Sequence, residues 1–158
     1  MLRKVCELPT AGLSSLTLFR PERAALRLTR SALLSTVLIV DDQAVVRAAV
    51  RGLFEAHSGF EVCGEAENGA DAIVKARALK PDLIILDLSM PLMNGFDAAR
   101  TLRQILPDVP LFLLTAHHSE ATQKAAFNVG IRAVFSKYQG LDVIITRARA
   151  ALRPTSNV

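Results

Sequence analysis

Residues 83–87, LIILD, form an apolar run of strand length that ends in an aspartate. Similar runs occur earlier in the chain, as VLIV at 37–40, and later, as LFLL at 111–114. A continuous apolar run of four residues is typical of a strand that is covered on both faces, as in a parallel sheet. The segments between these runs carry apolar residues at helical spacing, so the sequence predicts an α/β fold.

Five strands are predicted, and helical segments separate and follow them. The strands lie at 36–40, 60–64, 83–86, 111–114 and 133–136. Right-handed crossovers give a doubly wound, flavodoxin-like parallel sheet in the order 2-1-3-4-5, with helices on both faces. The first and fifth helices are expected on one face and the second to fourth on the other. The second strand alternates apolar and polar residues, which predicts a place at the edge of the sheet.

The first predicted helix has an apolar stripe and a charged stripe. The apolar residues among 46–54 recur at helical spacing and should pack against the sheet. Arg47, Arg51 and Glu55 fall four apart on the opposite face. The pattern therefore predicts that these three charged side chains point away from the core.

Length and charge divide the chain into one domain and a basic extension. The 158 residues, 51% hydrophobic and 22% charged, suffice for one ordinary domain, and the α/β pattern occupies residues 36–152. Residues 1–35 contain six Lys/Arg against two Glu, so their formal charge of +4 equals that of the whole chain. The basic balance therefore describes an N-terminal extension, and the body of the domain is neutral.

The extension at 1–35 allows several interpretations. Arginines interrupt every apolar segment that could serve as a secretory signal. The alternatives are a loose extension or an over-long start, a short amphipathic helix at 21–34 that contacts a partner or a second copy, and a targeting or membrane-surface segment. No apolar run reaches the roughly 18 residues of a transmembrane segment, and two cysteines fit a reducing compartment, so we expect a cytoplasmic protein.

Polar side chains follow four of the five predicted strands. They are Asp41 and Asp42, then Asp87, Thr115 and Lys137. Because the carboxyl ends of parallel strands meet at one edge, where ligands bind, we expect these groups to lie together. Three carboxylates on neighbouring strands repel one another unless a cation neutralises them. Oxygen ligands without Cys or His favour a hard ion such as Mg²⁺, which often shares its site with a phosphoryl group.

These motifs resemble the receiver domain of two-component response regulators. The resemblance rests on VLIVDD at 37–42, PDLIILDLSMPLMNG at 81–95, LTA at 114–116 and Lys137, in that order, and it covers residues 36–152. It implies a phosphorelay in which a sensor histidine kinase or a phosphotransfer protein donates a phosphoryl group from a phosphohistidine.

The resemblance also implies roles for particular residues. Asp87 would be the phosphoacceptor, and Thr115 and Lys137 would donate to the phosphoryl oxygens. Mg²⁺ would be held by Asp42, Asp87 and the backbone carbonyl of Ser89, with Asp41 contributing directly or through water.

Several positions depart from the usual pattern of these receivers. Val134 stands where an aromatic switch residue is common, and Phe135 follows one residue later, on the opposite face of a regular strand. Either a bulge restores an aromatic side chain to the switch surface, or switching uses a smaller rearrangement, which pleat geometry favours. Ser89, Ala116 and His117 are the positions expected to tune the lifetime of the acyl phosphate.

The expected function is that of a stand-alone receiver which docks to an unidentified effector when phosphorylated. A homodimer through the fourth helix, fifth strand and fifth helix is one arrangement. Such a protein is not an enzyme toward other substrates, because it catalyses only its own phosphorylation and dephosphorylation. Residues 153–158 form a short tail, so no C-terminal DNA-binding domain is expected.

Other functions receive less support. A phosphorylation-independent adaptor, or degenerate receiver, is the first alternative. An aspartyl-phosphate phosphohydrolase usually carries a second Asp two residues after its nucleophile, where this chain has Ser89. Nucleic-acid binding through residues 1–35 would depend steeply on salt and disappear on their removal.

Overall fold

A computed structural model describes residues 34–138 and 140–152. Strands and helices alternate along this part of the chain: β1 Ser35–Val40, α1 Ala44–Glu55, β2 Phe60–Ala66, α2 Gly69–Leu79, β3 Leu83–Asp87, α3 Gly95–Ile105, β4 Leu111–Thr115, α4 Glu120–Asn128, β5 Ala133–Ser136 and α5 Asp142–Leu152. The strands form one parallel sheet in the order β2-β1-β3-β4-β5, which confirms the predicted order. The interpretations of the N-terminal extension and of the C-terminal tail concern residues outside the described ranges.

The sheet has a hydrophobic core on each face. On one face, α1 and α5 pack against the sheet through Val50, Phe54, Ile144, Ile145 and Ala148. On the other face, α2, α3 and α4 do so through Ala72, Ala76, Ala98, Ala99, Leu102 and Ala126. Burying a side chain as large as Phe54 contributes about 1.5–3 kcal/mol. The predicted distribution of helices over the two faces is confirmed, and it leaves the carboxyl edge of the sheet to the loops.

Side-chain caps fix where three helices begin. Asn68, Asn94 and Ser119 precede α2, α3 and α4, and each accepts a hydrogen bond from the backbone N–H three residues later. Such a cap stabilises a helix by about 1 kcal/mol. Gly130, with φ +84°, ends the turn after α4 in the left-handed region that glycine tolerates best. None of the helices described here has the length and apolar character that crossing a bilayer requires.

Three strands extend beyond their predicted ends. β3 and β4 each include one further residue, Asp87 and Thr115, because backbone pairing with the neighbouring strand continues to those positions. β2 continues to Ala66 after a register shift opposite Val37 and Leu38, and its place at the edge of the sheet is confirmed. The side chains of Asp87 and Thr115 therefore project from paired strand ends.

Candidate functional site

The polar residues at the strand ends do gather at one edge of the sheet. Asp41 follows β1, Asp87 ends β3, Thr115 ends β4, and Lys137 follows β5. The ammonium nitrogen of Lys137 lies 2.6 Å from Asp41 Oδ2 and 3.1 Å from Asp87 Oδ2. Both aspartates are only 2% exposed, and Thr115 is fully buried. One lysine therefore bridges two buried carboxylates that come from neighbouring strands.

Three of the four polar atoms of Asp41 are held by hydrogen bonds from or to neighbouring segments. Its backbone N–H donates to the carbonyl of Ala66 at 3.0 Å, and its Oδ1 accepts from the backbone N–H of Gln43 at 2.9 Å. Its own backbone carbonyl accepts a hydrogen bond from Arg47 at 2.7 Å. These contacts fix both the backbone and the carboxylate at the point where β1 leads into α1.

The acidic residues can provide the ligands for a divalent metal ion. Asp41, Asp42 and Asp87 each offer an oxygen, and these oxygens lie within 4.8 Å of one another. Asp41 Oδ2 is buried and has no hydrogen-bond donor in the described part of the chain apart from the ammonium of Lys137. Three carboxylates and one ammonium leave two negative charges, which a hard, oxygen-binding cation such as Mg²⁺ would balance. Ser89 lies in the exposed loop after β3.

Burial and neighbouring charges shift the pKa values of the central pair. Desolvation raises the pKa of Asp87 and the Asp41 carboxylate adds to this, while Lys137 and the hydrogen bond from the Leu88 N–H act in the opposite direction. Burial alone would lower the pKa of Lys137, but its hydrogen bond to Asp41 and the charge of Asp87 outweigh burial and raise it. Lys137 is therefore an ammonium ion at neutral pH, beside a carboxylate that is costly to bury.

The raised pKa of Asp87 predicts that its ionisation lowers the stability of the fold near neutral pH. Because the native value lies above that of the unfolded chain, this group stabilises the fold fully below its ordinary pKa of 3.8 and loses that contribution as the pH rises through the native value. We expect Asp87→Asn to raise the free energy of unfolding of the metal-free protein at pH 7 by about 0.5–2 kcal/mol. Lys137 keeps its contact with Asp41 in this variant.

Urea unfolding followed by circular dichroism, in a chelator and between pH 4 and 8, measures this effect. The difference between Asp87→Asn and the wild type should grow with pH over this range. Asp108→Asn, at an exposed position, serves as the control and should change little. A difference independent of pH would contradict the predicted coupling to Asp87 ionisation.

Thr115 is placed so that it can donate its hydroxyl proton. Its Oγ1 accepts a hydrogen bond from the backbone N–H of His117 at 3.1 Å, and its backbone carbonyl accepts from the N–H of Lys137 at 3.0 Å. A hydroxyl that accepts one hydrogen bond retains its donor. Ala116 beside it is half-buried and the side chain of His117 is exposed. Their effect on an acyl phosphate stays a prediction.

The two residues at the expected switch position lie on opposite faces of β5. The pairing of β4 with β5 is regular from Ala133 to Ser136, so these strands contain no bulge there. Val134 packs toward the core under α2, α3 and α4, whereas Phe135 packs on the other face, 5.4 Å from the ring centroid of Phe112. No aromatic side chain of β5 thus replaces Val134 on its face.

The prediction for Arg47 was wrong. The helical spacing assigned it to the charged outward face of α1, but its side chain is only 10% exposed. It reaches over the edge of the sheet to Glu65 on β2 and to the carbonyl of Asp41. Helical periodicity could not show this, because the acidic partner, Glu65, lies on a strand that is distant in the sequence.

The fold is the flavodoxin-like fold of CheY-like receiver domains, and at the carboxyl edge of its sheet an acidic cluster lies beside a hydroxyl and a lysine. Residues 37–149 match the family model described as the response regulator receiver domain, and the chain belongs to that family. The family acts in two-component systems, its receiver domains typically interact with kinases or phosphotransfer proteins, and they generally bind Mg²⁺.

Individual relatives agree with this assignment. The chain is 38% identical over 96 residues to the chemotaxis protein CheY of Thermotoga maritima. This alignment covers 61% of this chain and 79% of that protein. It is 37% identical over 119 residues to a putative transcriptional regulator of Pseudomonas aeruginosa, covering 75% of this chain and 57% of that protein. The response regulator domain of Thermotoga maritima CheB superposes with a TM-score of 0.70 at 25% identity, covering 75% of this chain and 96% of that domain. The chain spans little more than half the length of several curated relatives.

Proposed function

We propose that this chain is a receiver that accepts a phosphoryl group on Asp87 from a sensor histidine kinase or phosphotransfer protein. The reaction depends on Mg²⁺, takes place in the cytoplasm, and leads to phosphorylation-dependent docking to an effector. One observation carries this proposal: the Lys137 ammonium lies between the buried carboxylates of Asp41 and Asp87 at the carboxyl edge of the sheet. The chain acts on itself only, by catalysing its own phosphorylation and dephosphorylation.

The chemistry at Asp87 is a displacement at phosphorus. An Asp87 carboxylate oxygen forms a bond to phosphorus while the bond from phosphorus to the imidazole nitrogen of a phosphohistidine breaks, and the electron pair of that bond remains on the nitrogen. Asp41, Asp42, Asp87 and the Ser89 carbonyl would hold Mg²⁺, which offsets the negative charge of the phosphoryl oxygens when bound. Lys137 and the hydroxyl of Thr115 lie on the side of β4 and β5 and donate to the same oxygens.

Phosphorylation would change the charge at the end of β3. Converting a carboxylate to an acyl phosphate adds about one negative charge and new acceptor oxygens, as other phosphorylations do. Thr115 and Lys137 are the donors positioned to respond, so movement of the loop after β4 follows from a new hydrogen bond by Thr115. Because residue 134 is a valine, the proposed rearrangement does not involve an aromatic side chain that turns inward at this position of β5.

The surface of α4, β5 and α5 has the features of a docking site. Exposed Phe127 and Val143 line a groove of about 390 Å³ together with Arg132 and Arg147. Contiguous exposed apolar residues bordered by charge are typical of protein interaction sites. Docking of an effector here, or of a second copy of the chain, is part of the proposal.

Labelling by a small-molecule acyl phosphate tests the proposed reaction. With Mg²⁺, intact mass spectrometry should show one phosphoryl group per chain, and a chelator should prevent its formation. Hydroxylamine should remove the group, because it attacks acyl phosphates. A degenerate receiver would take up none. A phosphohydrolase would instead release many phosphates per chain from a phosphomonoester.

A further inference from the structure

A second ionic cluster lies next to the acidic site and connects α1 to the edge strand. Arg47 donates through Nε to Glu65 at 3.0 Å and through Nη2 to Glu67 at 3.2 Å. Arg51, one turn later, donates to the other oxygen of Glu65 at 2.7 Å and to Glu55 at 2.9 Å. Two arginines of one helix therefore share the carboxylate of Glu65.

Only one of the two arginines reaches the acidic site. Arg47 Nη1 donates to the backbone carbonyl of Asp41 at 2.7 Å, and this hydrogen bond is buried. Arg51 makes its hydrogen bonds to Glu65 and Glu55 instead, and its side chain is 36% exposed against 10% for Arg47. The planar guanidinium suits this task, because its donors point in fixed directions and can bind three acceptors at once.

The acceptors of Arg47 belong to separate parts of the fold. Glu65 is on β2, Glu67 follows that strand, and Asp41 follows β1. The hydrogen bond from Arg51, with a further one from Arg47, lowers the pKa of Glu65 although burial opposes this, so Glu65 stays ionised at neutral pH. Glu65, which anchors the guanidinium of Arg47, is therefore negatively charged at neutral pH.

We propose that Arg47 is a positioning residue that fixes the backbone of Asp41 and so orients the acidic pair Asp41–Asp42 toward the metal. This inference rests on the proposed function. Groups that hydrogen-bond to metal ligands or their backbone orient those ligands, and their loss commonly weakens metal binding by about 10–100-fold. Glu65 and Glu67 hold Arg47 in place, so the edge strand β2 supports the site without touching the metal.

Charge and positioning predict opposite effects of removing Arg47. A guanidinium near a cation site repels the cation, so loss of its charge alone would strengthen Mg²⁺ binding. Loss of the hydrogen bond to the Asp41 carbonyl would weaken it. The sign of the change in an Arg47 variant therefore separates the two explanations. In Glu65→Gln, by contrast, the loss of a negative charge and the loss of the anchor for Arg47 both weaken Mg²⁺ binding.

Titration calorimetry of the full chain with MgCl₂ provides the measurement, since the protein has no tryptophan to report binding. We expect Arg47→Met to weaken Mg²⁺ binding about tenfold and Glu65→Gln to weaken it less. Arg51→Met is the matched control, because it removes the other partner of Glu65 and keeps the contact with Asp41. Its Mg²⁺ affinity should stay within about twofold of the wild type, as for partly exposed ion pairs.

Urea unfolding in a chelator separates positioning from a general loss of structure. Unchanged or tighter Mg²⁺ binding by folded Arg47→Met would overturn the role assigned to Arg47, whatever its effect on stability. Equal weakening in Arg47→Met and Arg51→Met would overturn it too, since the ion pairs with Glu65 would then be what matters. If the wild type bound no Mg²⁺ and took up no phosphoryl group, the proposed function would fail, and the role of Arg47 with it.

Discussion

The Asp87→Asn variant should take up no phosphoryl group under conditions that label the wild type fully. The amide oxygen of asparagine is neutral and a poor nucleophile, and an acyl phosphate cannot form on it. Asp87 is the buried aspartate that ends β3 and lies 3.1 Å from the ammonium of Lys137. Asp41 is equally buried and also contacts Lys137, so the variant tests directly which of the two carboxylates is the acceptor. With Asp87 as the acceptor, we expect labelling to fall to background.

Two further variants show whether the loss is specific. Asp82→Asn changes an exposed aspartate just before β3, at the opposite end of the strand from Asp87, and should leave labelling unchanged. Asp42→Asn keeps the acceptor and removes a proposed metal ligand, so it should slow labelling and raise the Mg²⁺ concentration that labelling requires. Equal uptake by wild type and Asp87→Asn, measured by intact mass, would reject Asp87 as the acceptor.

The fold was predictable because its signals are local. Continuous apolar runs such as 37–40 and 111–114 indicate buried parallel strands, and the connections between them leave few topologies once crossovers are right-handed. The gathering of Asp41, Asp87 and Lys137 then follows from topology, because the carboxyl ends of parallel strands share one edge. Neither step needs the packing of particular side chains.

The features that were not predicted depend on contacts between distant residues. Arg47 has the spacing of an outward residue on α1, but β2 carries Glu65 beside that helix and draws the side chain over the sheet edge. The extension of β2 to Ala66 depends on a register shift against β1. Polar residues at 65 and 67 look like loop residues in the sequence, because their charge is balanced only by another element.

Gly95 provides the second large effect, because α3 begins in close contact with the end of β3. A Cβ atom at this position would lie 2.2 Å from the carbonyl oxygen of Asp87 and 2.9 Å from Cα of Leu88. The N–H of Gly95 also donates to the Leu88 carbonyl at 2.9 Å, which holds the two segments together. The nearest atoms that the added Cβ would meet are all backbone atoms of Asp87 and Leu88, so no side chain can rotate away to make room.

We therefore expect Gly95→Ala to lower the free energy of unfolding by about 3 kcal/mol, the upper end of the range for overpacked sites. Gly52→Ala is the matched control. Gly52 is an exposed residue within α1, and an added Cβ there would meet no atom within 4 Å beyond its chain neighbours and its own helix backbone, so alanine should stabilise the helix by about 0.5–1 kcal/mol. Urea unfolding of both variants measures these two changes in the free energy of unfolding, which should have opposite signs. Equal stability of Gly95→Ala and the wild type would contradict the contact.

The same substitution should also slow the proposed phosphorylation of Asp87. Relief of the clash at Gly95 requires the backbone of Asp87 or the start of α3 to move, and Asp87 carries its carboxylate on that backbone. Labelling of the folded fraction should therefore slow by about tenfold or more, the typical cost of a small displacement at a reacting group. Gly52→Ala should label at the wild-type rate. If Gly95→Ala were destabilised yet labelled normally, the strain would be absorbed by α3 and Asp87 would keep its place.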